Sequence, residues 1–241
     1  MLKVHSFESL GTYDGPGIRL VVFLQGCAFK CLYCANPDTI TFKGGNATPN
    51  EEIMRMARNQ KPFFGTIGGI TISGGEPLWQ AKDLVSLFKE LKAEGFRTCI
   101  DTNGNVFSDD VIELMEYTDL VLLDIKHINK DWHKTITGSE NTTTLKFANH
   151  LREINKRTWL RYVLVPGYSD QEEYLNELGN YFKDYQNIEK LEIQPYHTLG
   201  VHKYQHLDME YKLEGVPENT LDQLARAKGI LEKYFKQVII N

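Results

Sequence analysis

The run Ile18-Arg19-Leu20-Val21-Val22-Phe23-Leu24 stops at Gly26, and Cys27, Cys31 and Cys34 follow within eight residues. An apolar, β-branched run of that length is a buried strand, so the fold must let one strand deliver three thiols to one loop. Thiolates so close in sequence can share one metal centre, and soft sulfur selects iron–sulfur clusters, zinc or Cu(I). A structural zinc site needs four ligands, usually as two C-x-x-C-like halves, and no second half is present. The fourth cysteine, Cys99, lies in Arg97-Thr98-Cys99-Ile100-Asp101, which reads as a strand, and is expected in the core. In a four-iron cluster, three cysteines leave one iron open to a chelating small molecule. On the cysteines alone, an iron–sulfur centre, a zinc site and a reactive thiol cluster all stay open.

Downstream, the chain alternates between short apolar runs and amphipathic stretches. Strands are expected at Ile67–Ile72, Thr98–Asp101, Leu120–Lys126, Trp159–Val165 and Leu191–Gln194, with Val238–Ile240 as a further apolar run. Helices are expected over Pro49–Asn59, Gln80–Glu94, from Ser108 as N-cap to Tyr117, and over Thr143–Lys156, Asp170–Tyr185 and Asn219–Phe235. Counting from Ile18, six strands separated mostly by helices require right-handed crossovers if the sheet is parallel. Both an open partial barrel and a flat doubly wound sheet satisfy that pattern. The length of 241 residues permits one domain or two, and with no visible linker one α/β domain is expected. Residues 1–17, rich in glycine toward Gly17, read as an irregular lead-in; 18–197 carry the alternation, and 198–241 form a C-terminal extension.

In parallel α/β folds, ligand-binding groups gather at the carboxyl ends of strands. Here those ends carry the cysteine loop, Ser73-Gly74-Gly75-Glu76, Asp101-Thr102-Asn103-Gly104, Asp124-Ile125-Lys126, Arg161, and Pro195-Tyr196-His197. Gly74-Gly75 leaves room for a ligand beside the backbone, and Glu76 offers a carboxylate to an ammonium group, although the segment also suits a plain strand-to-helix turn. Asp124 and Lys126 alternate around Ile125 and can simply pair with each other. Asp101 and Thr102 supply hard oxygens suited to a small cation, or cap the turn at Asn103-Gly104. Arg161 can be an interior salt-bridge partner. Asp14-Gly15-Pro16-Gly17 reads as a turn.

Three motifs in order, Asp14-Gly15-Pro16-Gly17-Ile18-Arg19, C-x3-C-x2-C with Tyr33 before the last cysteine, and Ser73-Gly74-Gly75-Glu76-Pro77, resemble the glycyl-radical-enzyme activases of the radical S-adenosylmethionine superfamily. The resemblance implies a partial (β/α)6 TIM-like barrel with a [4Fe-4S] cluster on Cys27, Cys31 and Cys34. It implies S-adenosyl-L-methionine bound by Tyr33, Ala35, Asn36, Gly74, Gly75, Glu76, Asp124, Ile125, Lys126, Arg161 and His197. A monovalent cation on Asp101, Thr102 and Asp124, and a substrate-peptide contact at Asp14, also follow from it. Ala35 stands where well-known relatives carry histidine, so only a backbone role carries over there. No further cysteine lies in 37–66, which marks a short form without a ferredoxin-like insert.

The implied activity is anaerobic: reductive cleavage of the cofactor and transfer of a glycine Cα hydrogen on a partner protein. Pyruvate formate-lyase is the first candidate partner, presenting its glycine-loop peptide, with flavodoxin or ferredoxin as electron donor. A radical enzyme acting on a small molecule and a non-catalytic metal-binding module are the other classes. A net charge of -5 with dispersed lysines and arginines excludes a nucleic-acid footprint, and no apolar run approaches a membrane span. A monomer in the cytoplasm is expected, where thiols stay reduced and three clustered cysteines suit a metal better than disulfides.

Overall fold

The computed structural model describes residues 1–241. Nine strands are hydrogen-bonded in the order β3-β1-β2-β4-β5-β6-β7-β8-β9. They are β1 (Leu2–Gly11), β2 (Arg19–Leu24), β3 (Asn46–Thr48), β4 (Gly69–Gly74), β5 (Thr98–Thr102), β6 (Leu120–Asp124), β7 (Thr158–Leu164), β8 (Ile188–Pro195) and β9 (Val238–Ile240). The helices are α1 (Asn50–Gln60), α2 (Ala81–Ala93), α3 (Asp109–Glu116), α4 (Lys130–Thr137), α5 (Thr142–Glu153), α6 (Glu172–Phe182), α7 (Val201–His206) and α8 (Leu221–Leu231). The chain divides into two compact units, residues 1–28 with 39–122 and residues 29–38 with 123–241, and the division falls inside β6.

In the first unit β2, β4 and β5 run parallel, with Arg19 opposite Gly69 and Leu24 opposite Gly74. Parallel strands need both faces covered, and β2 and β4 are buried almost throughout. Helix α2 supplies cover through Leu84, Leu87, Phe88 and Leu91, the face read from the sequence. Gly95 follows it at φ +76°, the left-handed position that stops a helix. Cys99 is fully buried in β5.

One sequence expectation fails here. Residues 2–11 are not an irregular lead-in: they form β1, antiparallel to β2 and paired on its other side with β3. Leu2 and Val4 are buried while Lys3 is exposed, so the strand alternates at its start. Of the glycines that suggested irregularity, Gly11 closes β1 and the others lie in the following turn, where Gly15 and Gly17 have φ of +120° and +70°.

In the second unit β7, β8 and β9 are parallel. Helix α6 is tightly seated, since a Cβ on Gly179 would stand 2.2 Å from the Tyr234 ring. Helix α8 opens with a capping box between Thr220 and Gln223. Helices α4 and α7 were not read from the sequence. The buried face of α4 is His133, Ile136 and Thr137, and α7 buries only Tyr204, so neither shows an apolar stripe.

Candidate active site

In the first unit the cysteine loop leaves β2 under backbone control. Gln25 N–H donates to Lys3 O, Gly26 N–H to Thr39 O at 2.8 Å, and Cys27 N–H to Ile40 O at 3.0 Å. The end of β4 is stitched to the same turn, Gly75 N–H donating to Leu24 O and Glu76 N–H to Gly26 O, both at 2.8 Å. This explains the paired glycines. A Cβ on Gly74 would lie 2.3 Å from Leu24 N, and one on Gly75 2.3 Å from Gly26 O. What approaches their backbone is the root of the cysteine loop itself. Asn103, just past β5, donates from Nδ2 to Cys27 Sγ at 3.6 Å. The sequence placed Asn103 at this strand end but only as part of the turn at Asn103-Gly104, not as a partner of the cysteines.

Glu76 is fully buried and gathers three donors. Leu78 N–H (2.9 Å) and Thr102 Oγ1–H (2.5 Å) reach Oε1, and Asn103 N–H (2.8 Å) reaches Oε2. It thereby caps the short turn Pro77–Gln80. Burial pushes its carboxyl up to about 7, against the pull of Thr102, Leu78 and Asn103. Thr102 Oγ1 also accepts from Gly104 N at 2.9 Å, the turn-capping alternative, and Asp101 Oδ2 accepts from Ser73 Oγ at 2.8 Å.

The raised value carries a sign. With a folded-state pKa near 7 against 4.5, the native protein holds this proton more tightly than the unfolded chain. The stability it contributes is therefore complete below about pH 4.5 and lost as pH climbs toward 7, a change on the order of 3 kcal/mol. Glu76→Gln should flatten that component in denaturant titrations of the cofactor-free protein between about pH 5 and 8. An unchanged slope would place the titration elsewhere.

Asp14 lies half-buried in the turn between β1 and β2. Its carbonyl accepts from Thr71 Oγ1 at 2.6 Å. Buried Arg19 completes the anchor, donating to Thr71 Oγ1 at 2.5 Å, Pro16 O at 3.0 Å and Ile70 O at 2.8 Å. The Asp14-Gly15-Pro16-Gly17 turn is thus fixed by its backbone, as a turn reading requires.

In the second unit, residues 29–38 carry the other two cysteines. The last carbonyls of α4 grip this segment: Lys30 N–H donates to Thr137 O at 2.8 Å and Leu32 N–H to Ile136 O at 2.9 Å. Buried Phe29 meets His133 edge-on at 5.3 Å. Cys34 N–H closes a turn onto Cys31 O at 3.1 Å, and burial pushes the Cys34 thiol up. Tyr33, between the cysteines, has a buried hydroxyl with no hydrogen-bond partner, and the Lys126 ammonium lies 5.8 Å from its ring centre.

Lys126 pairs with Asp124 at 2.8 Å, both side chains largely buried. Burial opposes the ammonium, but Asp124, Tyr33 and Cys31 outweigh it and hold its pKa well above the ordinary lysine value. Ile125 N–H donates to Arg161 O at 2.9 Å, tying this segment to β7. The Arg161 guanidinium itself pairs with Glu192 at 3.0 Å, and Lys190 shares that carboxylate at 2.7 Å. The ion-pair alternatives for Asp124, Lys126 and Arg161 are therefore formed. His197 is exposed, whereas Tyr196 is buried beside Val165 and Leu213.

None of the four cysteines is in a disulfide. No group of three or more His, Cys, Asp or Glu side chains is gathered tightly enough to hold a metal ion as the chain stands. The assignment of Cys27, Cys31 and Cys34 therefore rests on loop position and thiol chemistry, and these fit an iron–sulfur centre. All three are partly exposed, their spacing is short, and the fourth thiol is sealed in the core. The buried, unpartnered Tyr33 hydroxyl and the anchored Asp124-Lys126 pair supply polar groups beside two of them.

The radical SAM superfamily model matches residues 21–178. The chain is 45% identical over 240 residues to pyruvate formate-lyase 1-activating enzyme of Escherichia coli strain K12, covering 98% of both. It is 48% identical over 226 residues to the pyruvate formate-lyase-activating enzyme of Staphylococcus epidermidis, covering 90% of both. Among solved structures, Streptococcus suis SuiB bound to precursor peptide SuiA superposes with a TM-score of 0.71 at 17% identity, covering 91% of this chain and 48% of that one. A domain of a pyruvate-formate lyase-activating enzyme from Bacteroides vulgatus gives a TM-score of 0.61 at 22% identity, covering 72% of this chain and 99% of that one. At these identities the structural likenesses speak for the fold alone.

Proposed function

The chain belongs to the radical SAM superfamily and, within it, to the pyruvate formate-lyase-activating enzymes, and from that premise we propose that it installs a glycyl radical on pyruvate formate-lyase. The family's cofactors are a [4Fe-4S] cluster and S-adenosyl-L-methionine. When bound, they supply reductive cleavage of the sulfonium to methionine and a 5′-deoxyadenosyl radical that takes the glycine Cα hydrogen.

The protein's own residues hold and orient. Cys27, Cys31 and Cys34 ligate three irons; the start of that loop is set by the stitched end of β4, and the stretch from Phe29 by α4. Glu76, with Gly74 and Gly75, receives the ammonium end of the cofactor. A carboxyl whose pKa sits near 7 ionises readily once a cation is brought beside it. Lys126 and Arg161 meet the carboxylate end, Asp124 orienting Lys126 through their ion pair. Tyr33, Ala35, Asn36, Ile125 and His197 take the adenosine. Asp101, Thr102 and Asp124 hold a monovalent cation, and Asp14 contacts the glycine-bearing peptide. Flavodoxin or ferredoxin supplies the electron to a single copy of the chain in the cytoplasm. No helix is long and apolar enough to cross a membrane.

The observation that carries this reading is the near full-length likeness to activases at 45% identity, joined to the retained cysteine trio. The test is anaerobic. Reconstituted, reduced protein incubated with S-adenosylmethionine and pyruvate formate-lyase should yield methionine, 5′-deoxyadenosine and a glycine-centred spin resonance doublet. Cofactor cleavage without that doublet would transfer the activity to another substrate. Zinc without acid-labile sulfide would end the radical reading.

A further inference from the structure

Asn103 is held at three points, all within the first unit. Its N–H donates to Glu76 Oε2 at 2.8 Å, its Oδ1 accepts from Asn105 N–H at 3.0 Å, and its Nδ2 donates to Cys27 Sγ at 3.6 Å. A backbone N–H can only donate, so the Asn105 contact fixes the amide oxygen and gives the nitrogen to sulfur. Glu76 N–H in turn donates to Gly26 O at 2.8 Å, beside Cys27. Donor and sulfur are therefore tied through the same residue, and the ring Cys27-Gly26-Glu76-Asn103 closes on the N–H···S bond. Asn103 is buried, so water does little to screen that bond.

A hydrogen bond to a ligating sulfur is one of the means by which a protein sets the potential of an iron–sulfur cluster. Reduction adds one electron and spreads part of its charge onto the sulfurs, and a donor binds the more negative acceptor more strongly. The reduced state gains, and no protein bond is made or broken. In the second unit, burial raises the Cys34 thiol and a hydrogen bond from the Asn36 backbone opposes it. That donor is main chain, whereas the Asn103 donor is a side chain that substitution can remove. The same stretch is also held by Tyr204 Oη–H on Cys34 O at 3.0 Å and by Lys203 Nζ on Asn36 Oδ1 at 2.7 Å, contacts that end on oxygen.

We propose that Asn103 raises the reduction potential of the cluster through its N–H on Cys27 Sγ, which eases filling by the electron donor. This rests on the assignment of Cys27 as a cluster ligand. Asn103 acts on the cluster through that ligand.

The test is a redox titration of the cluster-loaded protein without S-adenosylmethionine, read by the spin resonance signal of the reduced cluster. At a fixed solution potential Asn103→Ala should lower the ratio of reduced to oxidised cluster about tenfold, a midpoint about 59 mV more negative for one electron. Asn103→Asp keeps the oxygen that Asn105 N–H needs and loses the donor. It should move the midpoint the same way, and it stands in should Asn103→Ala fail to fold. Iron and sulfide content should stay near wild type in both. Tyr204→Phe removes a loop contact that ends on oxygen and should stay within about twofold of the wild-type ratio. A wild-type ratio in either Asn103 variant, a midpoint that rises, or an equal shift in Tyr204→Phe overturns the proposal. So does loss of iron in both Asn103 variants, because a merely structural role would produce it. Failure of the wider reading looks different: the wild-type protein itself would hold no reducible iron–sulfur cluster.

Discussion

Cys34→Ser is expected to leave a folded protein with almost no cluster and with cofactor cleavage reduced by at least about a thousandfold, because a hard serine oxygen replaces a soft thiolate on iron. Cys27→Ser and Cys31→Ser should behave alike. The contrast is Cys99→Ala, which removes a fully buried sulfur from β5. It should cost about 1–2 kcal/mol of stability as a small core truncation and leave iron and sulfide content unchanged. Iron analysis and the visible absorption of anaerobically reconstituted variants decide it. Full cluster content in any one of the three loop variants, or its loss in Cys99→Ala, would remove the distinction on which the trio is assigned. The Cys34 carbonyl is unaffected by the change, so its bond from Tyr204 survives and the loop keeps its seat.

Gly75→Ala should be a severely damaging single-methyl change. The added Cβ would stand 2.3 Å from Gly26 O, 2.7 Å from Gly26 C and 3.0 Å from Gly26 N. All three atoms are backbone, so no rotamer change relieves the overlap, and the Gly26-Cys27 turn must move. A loss of at least about 3 kcal/mol is expected, at the upper end for overpacking, together with defective cluster incorporation. Gly138→Ala is the control, with φ +81° and nothing within 4 Å of its Cβ. That change should cost only the left-handed backbone penalty, about 1–2 kcal/mol. Urea midpoints alongside iron content separate the cases. A Gly75→Ala protein with a wild-type midpoint would show that β4 and the cysteine loop are not locked as described.

What the sequence disclosed follows from what periodicity can carry. The face of α2 and the buried runs of β2, β4 and β6 repeat apolar residues at helical or strand spacing, and the Ser108 cap lies where a hydroxyl precedes the run. Helix α4 escaped because two of its three buried residues are His133 and Thr137, which read as polar, although Asn129 caps its start and Gly138 ends it. Strand β1 was obscured by Gly11 at its end and by the glycines of the turn that follows. At the site, residue types pointed to chemistry but could not choose between partners. Glu76 was legible as a carboxylate, whereas its three internal donors, which compete with any ligand, depend on residues up to 27 positions away. Arg161 similarly found Glu192 on the neighbouring strand, a pairing set by register. Lys203 and Tyr204 belong to no local pattern, and the turn at Asn103-Gly104 said nothing of Cys27, since each of these residues acts across a long stretch of chain.

The outermost members of the sheet are its shortest, β3 and β9 with three residues each. Strands so brief offer an incoming polypeptide few amides and carbonyls to zip against, so neither β3 nor β9 is itself a ready template for fibril-like stacking or for capture of a client by strand addition. A backbone segment of another enzyme that meets either of these two strands is therefore grasped by loops and side chains, a hold that is easily released.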